Sequence, residues 1–213
     1  MTDDTDAIQS ALNLVGTITN GVLQPVVYLP SGTYLITEHN TTGIHSGLVL
    51  QDKFAVGIIG QDPATTTIKW GGATNSTDAM LWASGVTRSR FGRITWDGAG
   101  STVTGWAHMQ NTNYPGYDST AIYRSDEVFQ NMAVGIALGT EGTGYGVGDG
   151  DNNIMRDHFY NCSQAGIRTG SQNAFQNYIW DSEFVNNGSG MDDLGDGLSS
   201  GDVYKRQTVA FPT

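Results

Sequence analysis

Two stretches of the chain set acids, an arginine and a histidine among apolar residues at matching intervals: NNIMRDHFYNC at residues 152–162 and QNYIWDSEFVNN at residues 176–187. Ile154, Phe159 and Asn161 recur as Ile179, Phe184 and Asn186, each 25 residues on. If matched residues are neighbours in space, Arg156 comes beside Asp181 and His158 beside Glu183, about one strand spacing of 4.8 Å apart. Phe129 and Asn131 precede Phe159 and Asn161 by 30 residues, an offset that brings Glu127 toward Asp157. The expected patch is therefore Glu127, Arg156, Asp157, His158, Asp181 and Glu183.

Such a patch admits two kinds of sugar chemistry. Hydrolysis needs a protonated carboxylic acid at the leaving oxygen and a second carboxylate as base or nucleophile, about 5–5.5 Å apart for retention and farther for inversion. Crowded acids can divide these roles, because like charge raises the pKa of one of them. Elimination needs a base for the proton beside a uronate carboxyl and a cation for the charge developing there, which suits Arg156 with His158. The expected acid and base are Asp157 with Asp181 or Glu183, and the expected substrate contacts are Glu127, Arg156, His158, Tyr117 and Trp180. The plainer reading of Arg156–Asp181 and His158–Glu183 is a set of exposed cross-strand pairs, each contributing roughly 0.2–1 kcal/mol.

Aromatic rings offer flat faces to sugars, and Trp70, Trp82, Trp96, Trp106, Trp180, Tyr114, Tyr117 and Tyr145 are numerous for this length, although any one of them also suits core or corner packing. The segment WAHMQNTNYPGYDSTAIYRSD is long, aromatic and polar, and would project as a groove wall. The glycine-rich EGTGYGVGDGDNN lacks the strand-to-helix context of a phosphate loop, and its acids do not fit the EF-hand spacing. MDDLGDG reads the same way. His39, His45, His108 and His158 show no H-E-x-x-H spacing, so no metal ligands are assigned.

Positioning the patch requires a winding backbone. Glycine at 29, fourteen asparagines and 15% charged residues favour short strands and many turns over a helical bundle. Strand-like segments follow one another without intervening helices, which excludes an ordinary βαβ protein. Repeats in the twenties and low thirties, including Ile136 and Ile167 at 31, correspond to one solenoid turn each. Stacked inward residues would each contribute roughly 1.5–3 kcal/mol by burial. Asparagines at equal corner positions could bond one another and the corner backbone.

One segment, DDTDAIQSALNLVG, has helical periodicity, with Ile8, Ala11, Leu12 and Val15 on one stripe, Asp4 or Thr5 as cap and Gly16 as stop. A helix over 5–15 would cover the open strand edges of the first coil.

Twenty-one acids against ten lysines and arginines give a formal charge of -11, which argues against nucleic acid or an anionic membrane as partner. A local arginine can still hold an acidic polysaccharide. Cys162 is the single cysteine, so no intrachain disulfide forms. The first residues have neither a basic nor an apolar leader region, and no stretch approaches the roughly twenty apolar residues of a membrane span.

With TDDTDAIQSALN followed by VVYLPSGTYLI, and coil turns of the NCSQAGI type, the chain resembles the pectate-lyase-like superfamily over roughly residues 2–190. The resemblance implies an all-β, right-handed parallel β-helix with an N-terminal capping helix, and extracellular or cell-surface polysaccharide lyases, glycoside hydrolases or phage tail-spike depolymerases. The alternative class is a non-catalytic glycan-binding adhesin or tail-spike segment. No cofactor is expected, with calcium open for a lyase-like member, and a trimer is open for a tail-spike-like one.

Family members usually carry Gly-Asp-Gly before this helix, whereas Met1 directly precedes Thr2, which suggests a truncated start. DVYKRQ at 202–207 looks like a translated transposon end. Residues 1–200 are thus expected to be a single β-helix domain, a fragment, and 201–213 a non-native or disordered tail. The paired aspartates and Gly-His-Gly of polygalacturonase-like hydrolases are missing, as is a convincing match to the arginine and calcium pattern of pectate lyases, so no catalytic residue transfers by resemblance.

Overall fold

Short aliphatic runs broken by glycine, asparagine and aspartate cannot continue straight, and the backbone turns at each break. In a computed structural model describing residues 2–15, 25–39, 45–109, 119–139, 149–170, 177–193 and 205–209, the result is a three-sided parallel β-solenoid preceded by one helix. The first coil holds β1 (Val26–Leu29), β2 (Gly32–Ile36) and β3 (Ser46–Gln51); the second holds β4 (Gly57–Gly60), β5 (Thr66–Trp70) and β6 (Ala79–Ser84). The third holds β7 (Arg90–Gly92), β8 (Thr95–Asp97) and β9 (Thr104–Met109), and the fourth β10 (Tyr123–Ser125), β11 (Val128–Gln130) and β12 (Val134–Leu138). The fifth holds β13 (Asn153–Met155), β14 (His158–Tyr160) and β15 (Ala165–Thr169), and the sixth β16 (Tyr178–Val185) and β17 (Met191–Asp193). The backbone of β18 (Lys205–Val209), inside the segment expected as a tail, runs parallel to β16.

The sequence offsets are the strand registers. Ile154 pairs with Ile179, Phe159 with both Phe129 and Phe184, and Ile136 with Ile167. Phe129, Phe159 and Phe184 stack inside at ring-centroid distances of 5.3 and 4.8 Å. Each ring needs space from the facing sheet: a β-carbon on Gly135 would lie 2.6 Å from Phe159, and one on Gly166 would lie 2.6 Å from Phe184. The glycines are therefore required by close approach, of an aromatic ring and of the next winding's carbonyl, Gly166 O at 2.5 Å and Gly190 O at 2.9 Å respectively, rather than by their backbone angles.

Left-handed residues make the corners. Arg93, Asp126, Arg156 and Asp181 occupy equivalent places between the first and second faces, with φ of 61°, 59°, 54° and 47°. Asn131, Asn161 and Asn186 do the same at the next corner, and Asn161 Nδ2 donates to Asn131 Oδ1 at 3.3 Å. Asparagine tolerates this conformation because its short amide bonds locally. One asparagine rung anticipated from the repeat is present, and Asn131 Nδ2 extends it to Asp97 Oδ1 of the preceding coil at 3.1 Å.

Helix α1 (Thr5–Leu14) buries Ile8 and Leu12 on the first coil. Its polar side chains close two strand edges. Asp4 exchanges bonds with Leu35 of β2, at 2.8 Å from its amide and 3.0 Å to its carboxylate. The Gln9 amide imitates a strand against β3, accepting from Val49 N at 2.8 Å and donating to Val49 O at 3.0 Å. Asp4 is the N-cap without a capping side-chain bond; Asp3 accepts from Thr5 N instead. The expected stop, Gly16, lies outside the described residues. Among the described residues no helix is long and apolar enough to cross a membrane.

Candidate functional site

The bend at Arg156 and Asp157 sorts the RDHFY stretch between outside and inside. On β14 the two-residue strand period sends His158 and Tyr160 outward and Phe159 inward. His158 lies directly across from Glu183, as the offset predicts. His158 Nδ1 is 3.0 Å from Glu183 Oε2, and Tyr160 donates its hydroxyl to the same oxygen at 2.7 Å. The two rings stack, 5.8 Å between centroids. The histidine and glutamate side chains are 39% and 34% exposed, so the cluster faces solvent.

These bonds divide the protons. Hydrogen bonds from Tyr160 and then His158 hold the Glu183 carboxyl below its ordinary range. Partial burial, followed by the bond to Glu183, pushes the Tyr160 hydroxyl up to about 12. Glu183 is therefore an anion and Tyr160 a neutral donor at ordinary pH. With Nδ1 given to the carboxylate, Nε2 is the histidine nitrogen left to take a proton.

Glu127 and Asp157 come together as predicted, Glu127 N donating to Asp157 Oδ1 at 2.9 Å, but inside the coil, where both are fully buried. They do not belong to an outward patch: the residue after each left-handed corner, at 127, 157 and 182, turns inward, and Asp157 N in turn bonds Ser182 Oγ. Burial, then the neighbouring Glu127, raises the Asp157 carboxyl well above its ordinary value. Arg156 is exposed, but its direct partner is Asp126 of the preceding coil, in a two-bond pair of 2.8 and 2.9 Å. Asp181, on the other side, adds only the last of the electrostatic contributions to Arg156. Trp180 is 40% exposed and stacks beside Tyr178. Tyr117 lies outside the described residues, as do Tyr114, Tyr145 and most of the two glycine-rich loops. Trp70, Trp96 and Trp106 are core residues.

Sequence offsets do not reveal the charged network behind this face. Arg124, 2% exposed, donates to Glu127 at 2.6 Å and lies 3.7 Å over the Trp106 ring. Its second nitrogen is 3.3 Å from His108 Nε2, and His108 Nδ1 is 3.5 Å from Asp149. Trp96 donates to Glu127 at 2.9 Å. His108 stands in register with Ala83 and Leu138, whereas Asp149 lies outside the strands, so no coil-length offset links the two. The one legible signal was the three-residue step from Arg124 to Glu127.

Tyr160 was legible as an outward residue from its alternation with His158, yet nothing in the sequence marked its shared hold on Glu183. Around the Arg156 corner, a shallow cavity of about 250 Å³ opens on the outer face of β4, β7, β10 and β13. Arg90, Tyr123, Met155 and Arg156 are among the residues lining it.

Residues 1–197 match the family described as rhamnogalacturonase A/epimerase, pectate lyase-like. Similar solved structures include ORF18 of Geobacillus virus E2, at 17% identity and a TM-score of 0.56, covering 88% of this chain and 39% of that one. The A-modules of the mannuronan C-5 epimerases AlgE6 and AlgE4 of Azotobacter vinelandii match at 17% and 19% identity, with TM-scores of 0.53 and 0.50. Each match covers 90% of this chain, and 55% and 56% of the respective module chains. The chain thus spans 39 to 56% of the length of these structures, and the likeness is one of fold. No curated protein matches the sequence significantly.

Proposed function

We propose, from the premise that the chain belongs to the rhamnogalacturonase A/epimerase, pectate-lyase-like family of right-handed β-helices, that it acts outside the cell on an acidic polysaccharide by removing the proton beside a uronate carboxyl. The observation that carries this reading is the exposed His158–Glu183–Tyr160 cluster. His158 Nε2 takes the proton. Glu183 orients the imidazole and stabilises its charged form, and Tyr160, by donating to the same carboxylate, holds it in place and ionised. Arg90 and Arg156 around the corner offer cations to the substrate carboxylates, and Tyr123, Tyr178 and Trp180 offer ring faces to the sugars.

Glu183 held as an anion does not serve as the protonated acid that hydrolysis requires, and Asp157 is buried away from any polymer. Elimination or epimerisation is accordingly favoured over glycoside hydrolysis. A panel of uronate polysaccharides, followed by absorbance of the unsaturated product, reducing ends and uptake of solvent deuterium, separates the three reactions. His158→Ala is expected to lower the rate about 10²- to 10⁴-fold and Glu183→Gln to lower it less. Folded variants turning over an identified substrate at the wild-type rate would remove these roles.

The second reading is a glycan-binding protein without catalysis. It is supported by the exposed Tyr28, Tyr123 and Trp180 along one face, at 55%, 47% and 40%. Binding of the same polymers with no product by any of the three signals would favour it.

A further inference from the structure

We propose that Glu38, His45 and Asp78 form a site for a divalent transition-metal ion of the zinc type, tying the first coil to the second. The three residues offer two carboxylates and an imidazole, with one ligand atom from each lying within 4.8 Å of the others. His45 Nδ1 is 3.3 Å from Glu38 Oε1 and 3.8 Å from Asp78 Oδ1. Four ligands at about 2.1 Å around a tetrahedral ion stand about 3.4 Å apart, so modest side-chain rotation brings these donors to an ion's coordination sphere.

Asp78 points to a ligand. Its side chain is 8% exposed and, among the described residues, accepts no hydrogen bond; the nearest ring nitrogen, His45 Nδ1, is 3.8 Å from Oδ1. With no protein donor on its oxygens, this largely buried carboxylate is open to a cation, which would offset part of its burial cost. The backbone holds it ready: Asp78 N donates to Ser76 Oγ at 3.1 Å, and Asp78 O accepts from Thr104 N of the third coil at 2.9 Å. His45 is fixed in turn, its carbonyl accepting from Ala79 N at 3.1 Å.

Glu38 and His45 lie 44% and 65% exposed, which leaves an entry path and a position for water as fourth ligand. An imidazole among the donors favours zinc, manganese or cobalt over calcium, which prefers an all-oxygen shell. Glu38 follows β2 and His45 precedes β3, whereas Asp78 precedes β6, so one ion would join consecutive windings.

The test is calorimetric titration of the full chain, freed of metal, with zinc sulfate at neutral pH, together with thermal unfolding with and without zinc. One bound ion and a raised unfolding temperature are expected. His45→Ala, at an exposed position that folding does not need, should weaken binding at least about tenfold and remove the thermal shift, and Asp78→Asn should do the same. His158→Ala should leave both unchanged. Absence of zinc binding, binding undiminished in His45→Ala, or stabilisation by calcium chloride but not zinc would each overturn the proposal.

Discussion

Two arginine–carboxylate pairs sit on neighbouring windings in opposite surroundings. Arg124 and Glu127 are 1% and 0% exposed at the side chain, whereas Arg156 and Asp126 are 50% and 39% exposed. The outer pair has the better geometry, with two parallel bonds. The inner pair has the greater consequence, because removing one member leaves a charge in the core. Contact geometry therefore says little about the stability a pair confers until burial is known.

The comparison breaks most visibly at Arg124. Arg124→Ala should cost about 3–5 kcal/mol in urea denaturation, since Glu127 is left charged in the core. Arg124→Met combined with Glu127→Gln should lose much less than the single change, as both charges go and Trp96 keeps an acceptor. Equal losses would mean that packing over Trp106, and not charge, governs the region.

Asp157 sharpens the interior side. Because its folded pKa is raised, the folded chain keeps a proton that the unfolded chain has released. The stabilisation is fully present below the unfolded value of about 4 and is lost as pH rises toward the folded value. Asp157→Asn should flatten that decline, measured as unfolding free energy from acid to neutral pH. An unchanged slope would locate the titration elsewhere.

Gln9→Ala removes two edge bonds between the helix and β3, worth roughly 1–3 kcal/mol together, and should promote concentration-dependent association seen by light scattering. Arg156→Ala, on the outer side, should cost no more than about 1 kcal/mol and lose its effect in high salt. A larger or salt-independent loss would show that the outer pair shares the energetics of the inner one.

The same contrast explains what could be read from the amino-acid sequence. Ile154, Phe159 and Asn161 reveal the winding because stacked residues in a solenoid repeat at the coil length, and the His158–Glu183 contact follows directly. Arg156 was legible as paired, but not with Asp126, because charges alternate along its corner ladder and either neighbour fits. Asp157 and Glu127 were legible as neighbours but not as buried. Strand alternation fails across a left-handed residue, which resets which side of the chain faces in. Gln9 and Tyr160 act through contacts with residues far along the chain that no periodicity marks.

The phenylalanine column also gives the coil a polarity. Each ring occupies the notch left by the glycine of the winding before it, Phe159 against Gly135 and Phe184 against Gly166. Filling a notch, as in Gly135→Ala, would thus disturb the downstream turn rather than its own, and a duplicated turn could be accommodated only if it brought both a ring and a notch for its successor.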